Sequence, residues 1–262
     1  MKVMTKDTEY QIRRAEARVE YLSEINLLSE LIIHGGRQLN VAVFPAIGYG
    51  GATPDANVAS MLRHYFHSSN LPNITFTPAT TAESVSAAAY RFCDFAKPKI
   101  FDHRCLQAGR VFKADEWVVF NPPKDEQGEL ITDERIFKGY LDKAKKVNGI
   151  YIIPNGKIEG VRDCSFVPYD SFKQEVQSAG DFVRSGLARG LEHTLELVAP
   201  KLEMMINKTN YPGGVHVFGF KPEEIVKVVS LGSDRLHGVC KIFVGSYYWY
   251  DCHNGYAFGV RE

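Results

Sequence analysis

Apolar residues recur three and four apart along residues 7–33 (Ile12, Ala15, Val19, Leu22, Ile25, Leu28, Ile32), which predicts an amphipathic helix. His34-Gly35-Gly36 follows as a left-handed cap for it. The short apolar run at 41–44 predicts a strand and leads into the glycine-rich stretch Gly48-Tyr49-Gly50-Gly51. Thr53-Pro54-Asp55 opens a second helix, with a capping hydroxyl, a first-turn proline and an early acid. Residues 74–77 read as a strand. Thr80-Thr81-Ala82-Glu83 is a capping box for a third helix that ends at Lys97-Pro98.

The pattern continues with a strand at 117–120, a helix from Thr132 to about Lys146, and a strand at 150–153. Helix and strand therefore alternate through the first half, which predicts an α/β arrangement with a mainly parallel sheet. The second half differs. Helical stretches near 171–177 and 181–198 precede strand-like runs at 215–220, 225–231, 239–243 and 256–260, a pattern suited to antiparallel pairing. The whole is α+β, with a division near Asn155-Gly156. Residues 1–155 form the α/β core, and 156–262 extend the same sheet or make a small second lobe.

Composition narrows the classes. The chain has 262 residues, 45% of them hydrophobic, enough for a substantial core and too many for a disordered chain. Its 31 basic and 31 acidic side chains cancel, so there is no charge footprint for tight nonspecific nucleic-acid binding. A small-molecule or nucleotide-like ligand is compatible with that balance. No apolar run approaches the roughly 20 residues of a membrane span, and residues 1–20 lack a signal-peptide pattern, so a cytoplasmic protein is expected. Five scattered cysteines without a Cys-x-x-Cys pair predict buried thiols, not disulfides or a zinc site, and no metal is expected. Oligomeric state is not legible.

Two motifs carry candidate chemistry. The first is the strand-to-helix junction Pro45-Ala46-Ile47-Gly48-Tyr49-Gly50-Gly51, where glycines let backbone approach a ligand at a helix start. The second is Phe120-Asn121-Pro122-Pro123, a stiff corner at the end of a strand. Either one, alone, is also what a chain needs in order to turn. Together they resemble the core of S-adenosylmethionine-dependent adenine amino-methyltransferases over residues 41–154. That resemblance implies a cofactor site at Pro45, Gly48, Gly50 and Gly51. It also implies that Asn121 and the Pro122 backbone accept hydrogen bonds from a substrate amino group. Phe44 stands where that family carries an acid, and Lys124 where it carries a stacking aromatic. A non-catalytic relative, or a binding, assembly or host-interaction protein without an active site, fits the same residues.

A third pattern is Asp163-Cys164-Ser165 with His216 in a later strand, which resembles NlpC-type cysteine peptidases. It implies a Cys164–His216 pair, with the thiol at a helix start. Pro168 stands in that helix, and a buried structural thiol is the alternative. Weaker neighbours are His103-Arg104-Cys105, Asp251-Cys252-His253, and the aromatic run Tyr247-Tyr248-Trp249-Tyr250, read as strand packing. Glu192-His193 is expected to be a helical surface pair, and Arg162-Asp163 a solvated ion pair.

Overall fold

A computed structural model describes residues 30–45, 77–93, 105–127, 130–131, 133–209, 213–222, 225–234, 241–247 and 256–261. The chain opens with β1 (Glu30–His34), β2 (Arg37–Pro45), β3 (Thr77–Pro78) and helix α1 (Thr81–Cys93). Strands β4 (Cys105–Lys113) and β5 (Trp117–Phe120), helix α2 (Glu134–Leu141), and strands β6 (Lys145–Val147), β7 (Ile150–Ile152), β8 (Ser165–Pro168) and β9 (Val176–Gln177) follow. Three helices, α3 (Ala179–Arg184), α4 (Gly186–Glu192) and α5 (Pro200–Thr209), precede β10 (Val215–Phe218), β11 (Ile225–Asp234), β12 (Lys241–Tyr247) and β13 (Tyr256–Arg261).

All thirteen strands of the described residues join one hydrogen-bonded network, ordered β6-β7-β8-β5-β4-β11-β12-β10-β9, with β13 leading from β4 to β2 and β3, and β2 to β1. The expected mainly parallel sheet is not there. Among the described residues only β10 with β12 and β13 with β4 pair in parallel; every other pairing is antiparallel. Alternation misleads because the strands it predicts in the first half, β2, β3, β5 and β7, are not sheet neighbours joined by helical crossovers. β2 pairs with β1 and β13, and β5 with β4 and β8. Strands from both sides of Asn155 share the network.

Several local expectations also change. Residues 30–34 are a strand, not a helix end: Gly35 and Gly36, at φ +55 and +79, turn β1 into β2 as a two-residue hairpin. Glycine at both positions is what such a turn favours. The helix before Lys146 ends at Leu141, its N-cap is Asp133, and Lys145 and Lys146 lie in β6. Residues 171–177 hold the end of a 3₁₀ turn and β9, not a helix. Residues 181–198 break into α3 and α4 at Ser185, whose hydroxyl caps α4 by accepting from the Ala188 N–H. The strands at 41–44, 117–120, 150–152 and 215–218 form as the pattern predicts.

Alternation along the central strands explains their burial. Val111, Val118, Phe120 and Val167 belong to one apolar cluster, with Phe182, Leu187 and Leu202 from α3, α4 and α5. Their neighbours Phe112, Val119 and Phe166 belong to the other, with Phe137 from α2. Its ring lies 5.6 Å from both Phe112 and Phe166. Covered on both faces, these strands read as near-continuous apolar runs.

One irregularity positions the site. β11 occupies one edge of β4 from Cys105 to Lys113. On the other edge β5 pairs with Val111–Lys113, while β13 pairs only with Leu106 and Gln107. The sheet forks between them, where β11 shifts register and Gly109 takes φ +142. A Cβ on Gly109 would stand 2.7 Å from the Thr81 nitrogen, so glycine there admits the first turn of α1 into the fork. No described helix is long and apolar enough to cross a membrane.

Candidate functional site

The capping box forms as expected. The Glu83 N–H donates to Thr80 Oγ1 at 3.1 Å, and the Thr80 N–H donates to Glu83 Oε2 at 2.9 Å. Asn121, leaving β5 at φ 48, fastens this turn to the sheet. Its Oδ1 accepts the Thr81 N–H at 3.0 Å, and its Nδ2 donates to Thr81 Oγ1 and to the Asp163 carbonyl, both at 2.8 Å. Pro122 and Pro123 continue as a buried, rigid corner.

Asp163 is the centre of the polar network behind that corner. It is fully buried and takes φ 52, a left-handed conformation uncommon for a non-glycine residue. Its carboxylate accepts from Thr80 Oγ1 at 2.5 Å, from Asn155 Nδ2 at 2.7 Å, and from His34 Nε2 at 3.4 Å. His193 Nδ1 stands 3.7 Å away, while its Nε2 donates to the Ile153 carbonyl at 3.0 Å. Burial opposes ionisation of Asp163, but His34, Asn155 and Thr80 outweigh it and hold the carboxyl below its usual range. Burial lowers the His193 imidazole in turn.

The other nitrogen of His34 meets Ser86 Oγ at 2.7 Å, and Lys201 Nζ donates to the same hydroxyl at 2.6 Å. Lys201, Ser86, His34 and Asp163 thus form one interior chain between α5, α1, β1 and the segment before β8. Ser86 is buried in the body of α1 and also donates to the Ala82 carbonyl, so this chain ties elements together. Glu83 is equally buried. Its carboxylate meets Arg162 Nη2 at 3.3 Å and Arg37 Nη2 at 3.6 Å. Burial raises its pKa despite the guanidinium of Arg162.

In the fork, against this network, lies a cavity of about 360 Å³ lined by Thr77, Ala79, Thr80, Asn121, Pro122, Pro123, Lys124, Gly160, Val161 and Arg162. Ala79, Pro122, Pro123 and Val161 make part of its lining apolar. Thr80, Asn121, Lys124 and Arg162 bring polar and cationic groups to it.

Of the residues predicted from sequence, Asn121 and Pro122 line this cavity. Pro45 ends β2 and pairs with Tyr256 of β13. Gly48, Gly50 and Gly51 lie outside the described residues, as do the helix opened at Thr53, residues 7–29, Lys97-Pro98, His103, Cys240 and the stretch 248–253. β2 and β5 are not neighbours; β13 and β4 stand between them. The described residues therefore include the acceptor corner and not the glycine loop, and the Asn121 amide is already engaged by Thr81 and Asp163.

Cys164 and His216 are not brought together. Cys164 immediately precedes strand β8, not a helix. Four strands (β5, β4, β11 and β12) separate β8 from β10, which carries His216, and at nearly 5 Å per strand that is far beyond reach. Burial and the Asp163 charge push the Cys164 thiol well up, which leaves it unreactive. Glu192-His193 is no surface pair: Glu192 is buried, and His193 faces Asp163. Nor are Arg162 and Asp163 ion partners; Arg162 turns to Glu83 and Asp163 to His34. Among the described residues no cluster of His, Cys, Asp or Glu is arranged to hold a metal.

No family model matches the chain, and no curated protein or solved structure matches it either.

Proposed function

We infer that this chain binds a small, flat-ringed, nucleotide-like ligand in the fork cavity. The observation that carries the reading is the cavity itself: about 360 Å³, walled by the rigid Pro122-Pro123 corner, with Thr80, Asn121 and Arg162 also in its lining. That volume lies at the lower end of small-molecule sites, where apolar walls and a few fixed polar groups are usual. The strained φ of both Asn121 and Asp163, held by side-chain bonds behind the wall, supports a preorganised site.

Binding without chemistry is the reading these residues favour. Methyl transfer to an amino group would ask Asn121 Oδ1 to accept from the substrate, whereas it accepts from the Thr81 N–H here. Titration calorimetry with adenosine and with S-adenosylmethionine tests the reading. Saturable binding of adenosine, removed by Thr77→Trp at the exposed lip of the cavity, is the expected result. No heat with either compound at millimolar concentration, or binding that Thr77→Trp leaves intact, contradicts it. Turnover of S-adenosylmethionine with a nucleobase acceptor would replace it with the transferase reading.

A further inference from the structure

Asparagine followed by glycine occurs at 148–149, 155–156 and 254–255, the last outside the described residues. In such a pair the glycine nitrogen, with no Cβ beside it, is open to bond with the asparagine side-chain carbonyl carbon. Asn121 has no such route, because it precedes Pro122, whose nitrogen carries no proton to give up.

The two described pairs stand in opposite states. Asn148 and Gly149 are the two loop residues between β6 and β7, since Val147 pairs directly with Ile150. Both are exposed, at φ 47 and 85, and a Cβ placed on Gly149 would meet nothing within 4 Å. Among the described residues the Asn148 side chain makes no hydrogen bond; its backbone carbonyl accepts from Arg189 Nη1 at 3.0 Å. Asn155 is fastened at both ends of its amide. Its Nδ2 donates to Asp163 Oδ1 at 2.7 Å, and its Oδ1 accepts the Asp163 N–H at 2.8 Å. Asp163 is fully buried, so Asn155 cannot turn toward Gly156 without breaking both bonds.

We propose that Asn148 is a site of spontaneous deamidation, and that Asn155, in the same dipeptide, is protected by Asp163. The Gly149 nitrogen gives its proton to hydroxide and forms a bond to Asn148 Cγ. The Cγ–Nδ2 bond breaks, and ammonia leaves with a proton from water. Water then opens the succinimide at either of its two carbonyls, leaving a carboxylate on aspartate or isoaspartate. As the amide proton departs, negative charge develops on the Asn148 carbonyl oxygen, the atom to which the Arg189 guanidinium already donates. The product carries a new negative charge at the tip of a hairpin whose outer strand, β6, ends the sheet order.

The test holds the full chain at pH 8 with and without urea and follows the Asn148 and Asn155 peptides by mass spectrometry after digestion at intervals. In the folded chain the Asn148 peptide is expected to convert about tenfold or more faster, since Asn155 must first break two hydrogen bonds to a buried residue. Hydroxylamine, which cleaves at a succinimide, should cut the folded chain after Asn148 and not after Asn155. In urea the two rates should converge, because both pairs are then free. Equal rates in the folded chain, or an Asn148 peptide that stays unconverted while the urea sample converts, overturn the proposal. A difference that persists unchanged in urea overturns it too, because flanking sequence and not the fold would then set it.

Discussion

At two helix starts of this protein a buried glutamate accepts backbone N–H groups, and the two sites behave differently. At the start of α5, Glu192 accepts the Lys201 N–H at 3.0 Å and the Leu202 N–H at 3.2 Å, and only 5% of the residue is exposed. The carboxylate meets helix backbone, and α4 is thereby joined to α5. At the start of α1, Glu83 caps the Thr80 N–H with one oxygen, but two guanidinium groups and a cavity adjoin it. A buried carboxylate at a helix start makes a closed joint in one place, where the end of the preceding helix supplies it, and stands behind an open cleft in the other, where the helix's own first turn supplies it. What separates a structural cap from a site is not the glutamate. It is the space around it.

Substitutions can break or sharpen that contrast. The largest effect is expected from Asp163→Ala, which strips His34, Thr80 and Asn155 of a shared buried partner. Removing one member of a buried charged network costs about 3–5 kcal/mol, read as a lowered urea midpoint. A loss below about 1 kcal/mol, the level of a surface pair, would show that the network behind the cleft is not holding it.

Glu192→Gln tests the closed joint. Burial raises the Glu192 carboxyl to about 7, against an ordinary 4.5. Between those values the folded chain holds a proton that the unfolded chain has lost. The stabilisation is therefore complete below pH 4.5 and disappears as pH rises through about 7. By linkage the shift is worth about 3 kcal/mol. The amide variant, which does not titrate, should lack that decline, so the stability difference between variant and wild type should grow from acid toward pH 8. A pH-independent difference would contradict this.

Asn121→Ala comes next, at about 2 kcal/mol, since it leaves the Thr81 N–H and the Asp163 carbonyl without their partners. It should also loosen the cavity wall and weaken adenosine more than it weakens the fold. Intact adenosine affinity in a destabilised variant would separate the corner from the site. The smallest effect is expected at Asp133, the exposed cap of α2, whose carboxyl is held at about 2 by Arg135. Asp133→Ala should lower the melting midpoint only slightly and leave ligand binding untouched.

Legibility in the sequence followed the range of the interactions. Thr80 and Glu83 are three residues apart, and their capping box is readable because its chemistry is local. The Asn121-Pro122-Pro123 corner is readable for the same reason, since proline restricts its own residue and the one before it. His34, Asp163 and His193 are not. They meet only after β1 packs on α1 and the chain returns before β8, and nothing within a few residues of any of them signals the others. β1 was hidden differently: Leu28 and Ile32 continue a helical spacing, while its strand character comes from pairing with β2 through the Gly35-Gly36 hairpin. β4 was missed because Gly109 and Arg110 interrupt its apolar pattern, and that interruption is where the sheet forks to admit the site.

The central claim is that the fork, and not the closed joint at α5, is where ligand binds. Backbone amide chemical shifts measured during an adenosine titration test it most directly. The account predicts saturating shifts at Thr80, Asn121, Lys124 and Arg162, with Lys201 and Leu202 unmoved. Shifts confined to α5, or none in the fork at millimolar adenosine, would contradict it.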